Sequence, residues 1–316
     1  MNKILVPIAH AERDKVDLEF GAQLVQAASA NLTVLHVIKT FSTPIGINVT
    51  REKMAEWGVE SGPFKLLKQA EEILESMGLF KLDESGAPVE RHALKALGKG
   101  LYEVHLIGRR DENIRFRLRE GDVVREVLRE VETAEDDPYS LVIMETRGRK
   151  RLQRILHGSI TQKVAFHVPC SVLVTKNLHP RENILVCTRG YWTALEAARQ
   201  AGELANAIGA QVKVLAVAEQ DDQVALAESH AQEILDVLSQ AGIQGQAIIR
   251  VGDPAEVIIH EAGEDHIIVL GRTKESKLQK FFRGSIPLQV LEHAASPVMI
   301  AVPPPSSNAA SQPTSE

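Results

Sequence analysis

The chain is 316 residues long, 44% hydrophobic and 25% charged, an ordinary globular composition with room for two domains. Its formal charge of −6 gives no global attraction to nucleic acid or anionic membrane, and 4% aromatic residues argue against base-stacking surfaces. Two cysteines cannot form a multi-bridge framework, so a reducing compartment, the cytoplasm, is expected.

Met1-Asn2-Lys3 leads directly into the apolar run Ile4–Ile8, which is strand-sized and too short for a signal-peptide core. No stretch reaches the length of a transmembrane helix, so no membrane partner is expected. Leu32–Ile38 predicts a second strand, and Phe41–Gly62 a long loop with some helix around Arg51–Trp57, a lid or a partner surface. Tyr102–Ile107, the turn residues Gly108 to Asn113, and Ile114–Arg119 predict a β-hairpin extending a sheet edge. Leu141–Met144 and Val172–Thr175 are two further strands. In the second half Ile184–Val186, Val212–Val217, Gln246–Val251, Ile267–Leu270 and Val298–Val302 read as strands. Between them Tyr191–Ile208, Val224–Gln240 and a helix from Pro254 to about Ala262 read as helices, with Asp253 as N-cap. Such alternation gives a parallel sheet with helices on both faces. The tail from Pro303 to Glu316 is expected to be disordered.

The halves repeat each other. Lys3-Ile4-Leu5-Val6-Pro7 recurs as Asn183-Ile184-Leu185-Val186-Cys187, and Leu32–Val37 as Val212–Val217, both at an offset of 180. Ala70-Glu71-Glu72-Ile73-Leu74 matches Ala231-Gln232-Glu233-Ile234-Leu235, Gly121-Asp122 matches Gly252-Asp253, and Gly158-Ser159-Ile160 matches Gly284-Ser285-Ile286, the last at an offset of 126. The falling offset places extra segments in the first half, near 41–62 and 88–113. The units expected are residues 1–176 and 183–302, joined by a short linker, with a tail over 303–316.

After the fourth strand of the second half, Gly271-Arg272-Thr273-Lys274 is followed by nine residues and Gly284-Ser285. The first half has Glu145-Thr146-Arg147-Gly148, nine residues, and Gly158-Ser159, then Val168-Pro169-Cys170-Ser171-Val172-Leu173-Val174. These segments resemble the nucleotide motif and closing strand of the universal stress protein family, and the resemblance covers nearly all of the chain outside the inserts and tail. It implies two Rossmann-like (adenine nucleotide alpha hydrolase-like) α/β domains, each a five-stranded parallel sheet with helices on both faces. ATP or a related adenine nucleotide is the implied ligand. Such a loop suits phosphate because glycines let backbone N–H groups approach it and the following helix presents unpaired N–H groups and its positive dipole end.

Both copies depart from the pattern. Glu145 stands at the first glycine of one motif and Lys274 at the second glycine of the other. The Asp that the family's ATP binders carry after the first strand is Ala9 in one half and Arg189 in the other. A carboxylate a few ångströms from a polyphosphate repels it by roughly 1–4 kcal/mol, so the second half is the better phosphate site. The candidate contacts there are Gly271, Arg272, Lys274, Gly284, Ser285 and Gly252, with Gly148, Gly158 and Ser159 as the degenerate copy. Five basic residues recur on each motif loop, Arg147, Arg149, Lys150, Arg151 and Arg154 against Arg272, Lys274, Lys277, Lys280 and Arg283. A solvated face and a phosphate role are both open readings of them. The glycines have a competing explanation too, in turn geometry and close helix–sheet packing.

His167 and His293 match across the halves and read as core or capping residues, while His36, His105, His179 and His260 show no metal-ligand spacing. No nucleophile, general base or metal-binding carboxylate pair accompanies the motif, so slow ATP hydrolysis at most is expected. The rival to a nucleotide-binding regulator is a non-binding interaction module for protein partners. In the family the fifth strands pair between domains. Here that implies an intrachain pseudo-dimer through Val172–Thr175 and Val298–Val302 and leaves further homodimerisation open.

Overall fold

The first apolar run, Lys3–Ile8, forms β1, followed by α1 (Lys15–Ala28) and β2 (Asn31–Ile38). The computed structural model describes residues 1–39, 62–134, 137–145, 160–176, 178, 183–190, 192–272 and 285–303. The expected loop and helix between Phe41 and Gly62 lie almost wholly outside these residues, as does the tail from residue 304. The first half continues with α2 (Pro63–Ser76), β3 (Glu90–Gly98), β4 (Leu101–Ile107), β5 (Asn113–Glu120), α3 (Val123–Glu132), β6 (Leu141–Met144), α4 (Ile160–His167) and β7 (Ser171–Val174). The second half comprises β8 (Asn183–Thr188), α5 (Trp192–Ile208), β9 (Val212–Ala218), α6 (Val224–Gln240), β10 (Gly245–Val251), α7 (Pro254–Ala262), β11 (His266–Gly271), α8 (Ile286–His293) and β12 (Val298–Ala301).

Among the described residues twelve strands join one sheet, in the order β10-β9-β8-β11-β12-β7-β6-β1-β2-β5-β4-β3. Within it β5-β2-β1-β6-β7 and β10-β9-β8-β11-β12 are two parallel five-strand sets with the same internal order. They meet where β7 and β12 pair antiparallel, Val298 opposite Val174, Met299 opposite Leu173 and Ile300 opposite Val172. The expected pairing of the closing strands within one chain is therefore present. Two apolar layers, one on each face of the sheet, run unbroken through this junction. One holds Ile4, Leu173, Ile184 and Met299, and the other Leu5, Val172, Leu185 and Ile300. Alternate residues of a strand point to opposite faces, so such doubly covered strands are apolar at nearly every position.

The inserted hairpin is antiparallel, Glu103 opposite Arg117 and His105 opposite Arg115, and a third strand not anticipated from sequence, β3, pairs with β4 beyond it. β5 alternates Ile114, Phe116 and Leu118, buried in the layer under α1 and α2, with Arg115, Arg117 and Arg119 on the opposite face. The wholly buried Glu130 of α3 meets those arginines. Arg119 donates to its Oε2 from Nε (2.8 Å) and Nη2 (2.6 Å), Arg117 Nη1 bonds its Oε1, and the Tyr139 hydroxyl donates to Oε1 at 2.7 Å.

The Gly-Asp repeat is the same turn twice. Gly121 and Gly252 have φ of 147° and 148°, and their N–H groups donate to Ile38 O (2.8 Å) and Ala218 O (2.9 Å). Asp122 and Asp253 then cap α3 and α7, accepting from Arg125 N at 3.1 Å and Glu256 N at 3.0 Å. Among the described residues no helix is long and apolar enough to cross a membrane.

Candidate functional site

In each half the connections leave the two central strands in opposite directions, β1 beside β6 and β8 beside β11. The crevice beyond the C-terminal ends of such a pair is where open α/β sheets bind ligands. The two crevices are built from matched positions with different charge.

In the first half, Asp14 closes the turn after β1, its Oδ2 accepting from Ala9 N at 2.5 Å and His10 N at 2.9 Å. One helical turn on, Asp17 is 2% exposed. Its Oδ1 accepts a hydrogen bond from the Thr175 hydroxyl, while Oδ2 has no partner. Burial, reinforced by the nearby Asp14 and Glu145 carboxylates, drives the Asp17 carboxyl up to about 7 against the opposing bond from Thr175. Glu145 lies just past β6, its carbonyl accepting from Thr161 Oγ1 at 3.2 Å. Three carboxyl groups thus gather at this crevice, the buried Asp17 among them only partly ionised at neutral pH.

In the second half the offset of 180 holds on both sides of α5, so Ala194 and Ala197, both buried, replace Asp14 and Asp17. Gly271 replaces Glu145. Beyond β8, Thr188 Oγ1 accepts from Gly190 N at 3.1 Å, and Arg189 Nη2 pairs with Glu219 at 2.6 Å. Gly190 has φ 79°, and a Cβ there would fall 2.1 Å from His230 Nε2. His230 of α6 therefore lies directly against the mouth of this crevice, a neighbour that the motif alone did not reveal.

The sequence-derived candidates divide as follows. Gly271 ends β11, where a Cβ would sit 2.6 Å from the Thr193 carbonyl oxygen at the start of α5. That close approach accounts for the glycine by packing alone. Gly271→Ala is accordingly expected to cost about 1–3 kcal/mol in urea unfolding without any nucleotide, and unchanged stability would remove the packing explanation. Arg272 donates from Nη1 to Val168 O at 2.7 Å, and its N–H to Ala301 O at 2.9 Å. Its side chain thus reaches from the second half to the end of α4 in the first, whereas the motif suggested a phosphate contact. Lys176 makes the converse link, donating to Leu291 O (2.6 Å) and Ala294 O (2.8 Å) at the end of α8, with burial drawing its ammonium down to about 8. Each half so places a cation at the negative end of a helix in the other.

Ser285 is the N-cap of α8, and its hydroxyl makes no capping bond. Gly252 follows β10, a strand three steps from β11 and hence roughly 14 Å across the sheet, on the far side of the crevice from Gly271. Lys274, Gly284, Gly148, Gly158 and Ser159 lie outside the described residues, as do the other basic residues of both motif loops. His167 and His293 occupy the last turns of α4 and α8 as exposed residues, in keeping with a capping role rather than a core one. Cys170 is buried and free, with burial pushing its thiol up to about 12, so it behaves as a small apolar residue.

Comparison with known proteins agrees with this architecture. A universal stress protein from Methanothermobacter thermautotrophicus is 26% identical over 178 residues, 56% of this chain and 96% of that protein. A crystal structure of a universal stress protein from Archaeoglobus fulgidus superposes with a TM-score of 0.59 at 19% identity, covering 95% of this chain and 96% of its own. That of a putative universal stress protein from Pseudomonas aeruginosa UCBPP-PA14 gives 0.61 at 16% identity, covering 96% and 94%. Likeness at that identity bears on the fold alone. The model of the universal stress protein family matches residues 1–176 and again 180–302, and this chain belongs to that family.

Proposed function

We propose that the chain is a tandem-domain stress-response protein, acting in the cytoplasm, whose unit over 183–302 takes ATP or a related adenine nucleotide beyond β8 and β11. The observation that carries this reading is the charge contrast between matched crevices. Asp14 and Glu145, with the buried and partly ionised Asp17 behind them, stand at the first, where the second has Ala194, Ala197 and Gly271. A polyphosphate is repelled by the one and not by the other. The start of α8 fits the anionic end of such a ligand, because the Ser285 hydroxyl is not used in capping and the first N–H groups of a helix have no partner within it. Gly284 and Lys274 would join it from the motif loop. Gly252 would serve the opposite end of an extended nucleotide.

Gly271 and Arg272 favour a second reading, a scaffold for protein partners, since packing accounts for the glycine and the arginine links the halves. Calorimetric titration with ATP separates the two. The expected result is one saturable equivalent per chain, lost in Gly284→Val and retained in Gly158→Val. Mass spectrometry of nucleotide released from the purified protein should agree. No uptake at millimolar ATP would leave the scaffold reading, and phosphate release absent from Gly284→Val would be needed to add hydrolysis.

A further inference from the structure

Away from both crevices, the insert of the first half brings two imidazoles and a carboxylate together. His92 on β3 and His105 on β4 are cross-strand partners, and Glu103 is two residues before His105 on the same face of β4. The register of β3 shifts on either side of His92, an irregularity of the kind that re-aims a side chain. One ligand atom from each of the three lies within 4.8 Å of the others. An ion bound at about 2.1 Å in tetrahedral geometry holds its ligands about 3.4 Å apart, so a small side-chain adjustment closes the set.

The hydrogen bonds around the cluster leave acceptors facing its centre. His92 Nδ1 is 3.0 Å from the Ala93 carbonyl, which can only accept, so Nδ1 carries a proton. Its Nε2 then stands 3.0 Å from Glu103 Oε1, a contact that either a second proton on the ring or a bound cation makes attractive. The other oxygen of Glu103, Oε2, is held by Arg117 Nε at 2.6 Å. His105 Nε2 lies 3.0 Å from Asn113 Oδ1, and Asn113 Nδ2 donates to Asn31 Oδ1 at 3.2 Å, which fixes the amide as the acceptor. His105 therefore donates outward through Nε2 and keeps Nδ1 as its lone-pair nitrogen. Metal-bound histidines are oriented in this way by outer acceptors on the nitrogen that does not bind.

We propose that His92, Glu103 and His105 form a binding site for a borderline divalent transition-metal ion, zinc by preference, with water completing the coordination. Two imidazoles and one carboxylate select this class over magnesium or calcium, which take mainly oxygen ligands. Glu103 and His105 are buried while His92 is half-buried, so the ion enters past His92. Arg115 Nε stands 4.0 Å from Glu103 and opposes the ion, whereas the charge of Arg117 is shared with Glu130. Linear spacing gave no sign of this site because its members meet only through the pairing of β3 with β4.

The test uses the full chain, freed of metal by chelator dialysis. Co²⁺ should give the visible absorption of a low-coordinate ion, saturating at one equivalent and displaced by Zn²⁺. His92→Ala and His105→Ala should abolish the signal, and Asn113→Ala should weaken binding by about 10–100-fold. Far-UV circular dichroism checks that each variant is folded, and His92→Ala, on the more exposed strand, carries the result if His105→Ala unfolds. Folded wild-type protein that takes up no Co²⁺, or uptake undiminished in His92→Ala, overturns the proposal and leaves a proton-bridged His92–Glu103 pair.

Discussion

Glu130→Ala is expected to destabilise the protein by about 3–5 kcal/mol, because it strands two guanidinium groups that have no other complete partner set. Glu130 is 0% exposed and receives Arg117, both donors from Arg119, and the Tyr139 hydroxyl. Burial alone would raise its carboxyl, but the two arginines and Tyr139 override it and hold the carboxyl below the usual range. Its stabilisation is thus fully present above the unfolded-state value and fades as pH falls through the lower folded one. Glu130→Gln keeps the shape and a hydrogen-bonding site for Tyr139 and should cost less. Urea unfolding at neutral pH measures both, and a loss below about 1 kcal/mol in the alanine variant would show that Arg117 and Arg119 reach water or Glu103 and Glu126 instead.

Asp17 has the opposite pH dependence. Its carboxyl is raised from 3.8 to about 7 in the folded chain, so between those values the folded state binds the proton that the unfolded state has lost. Stability from this group is therefore greatest at the acid end and declines as pH rises towards 7, by up to about 4 kcal/mol for a shift of roughly three units. Asp17→Asn carries no charge at any pH. At pH 8 it is expected to exceed wild type in stability by about 2–4 kcal/mol, with the advantage shrinking as pH is lowered towards 5. Paired urea titrations at the two pH values decide the matter, and an equal difference at both would rule out titration of Asp17 as the cause.

Much of the frame was legible from one device, the repeat of matched segments in the same order in both halves. Ile4 and Ile184, Leu32 and Val212, and Gly121 and Gly252 all fall at equivalent places in the two five-strand sets, and α6 and α7 run over the residues expected. The missed strand, Glu90–Gly98, has two alanines, a glycine and three charged residues and no β-branched residue, so it has little β-propensity. It is a strand because β4 offers it an edge, a fact of tertiary pairing that no local pattern contains. The site was half legible. The glycine motif drew attention to Gly271 and Arg272, where the closeness of Thr193 and the reach to Val168 depend on how helices settle on the sheet. Asp14 and Asp17 against Ala194 and Ala197 were open to view at the offset of 180, at the start of a helix, where ligand contacts are seldom sought, rather than in the glycine motif. His230 belongs to a helix remote in sequence from the motif, and nothing local marks it.

Joining β7 to β12 has a consequence for self-association. β12 would otherwise be the exposed border of a five-strand sheet and β7 that of a seven-strand one, and their union leaves β10 and β3 as the terminal strands of a single ribbon. Molecules that stuck together strand to strand would have to dock at these opposite extremities, and repeated docking of one extremity on the other would grow an open-ended filament wherever the rotation between copies does not close. The irregular register of β3 and its charged Glu90, Arg91 and Lys95, with Arg250 of β10 held to Glu261 of α7, make both extremities poor templates for such growth.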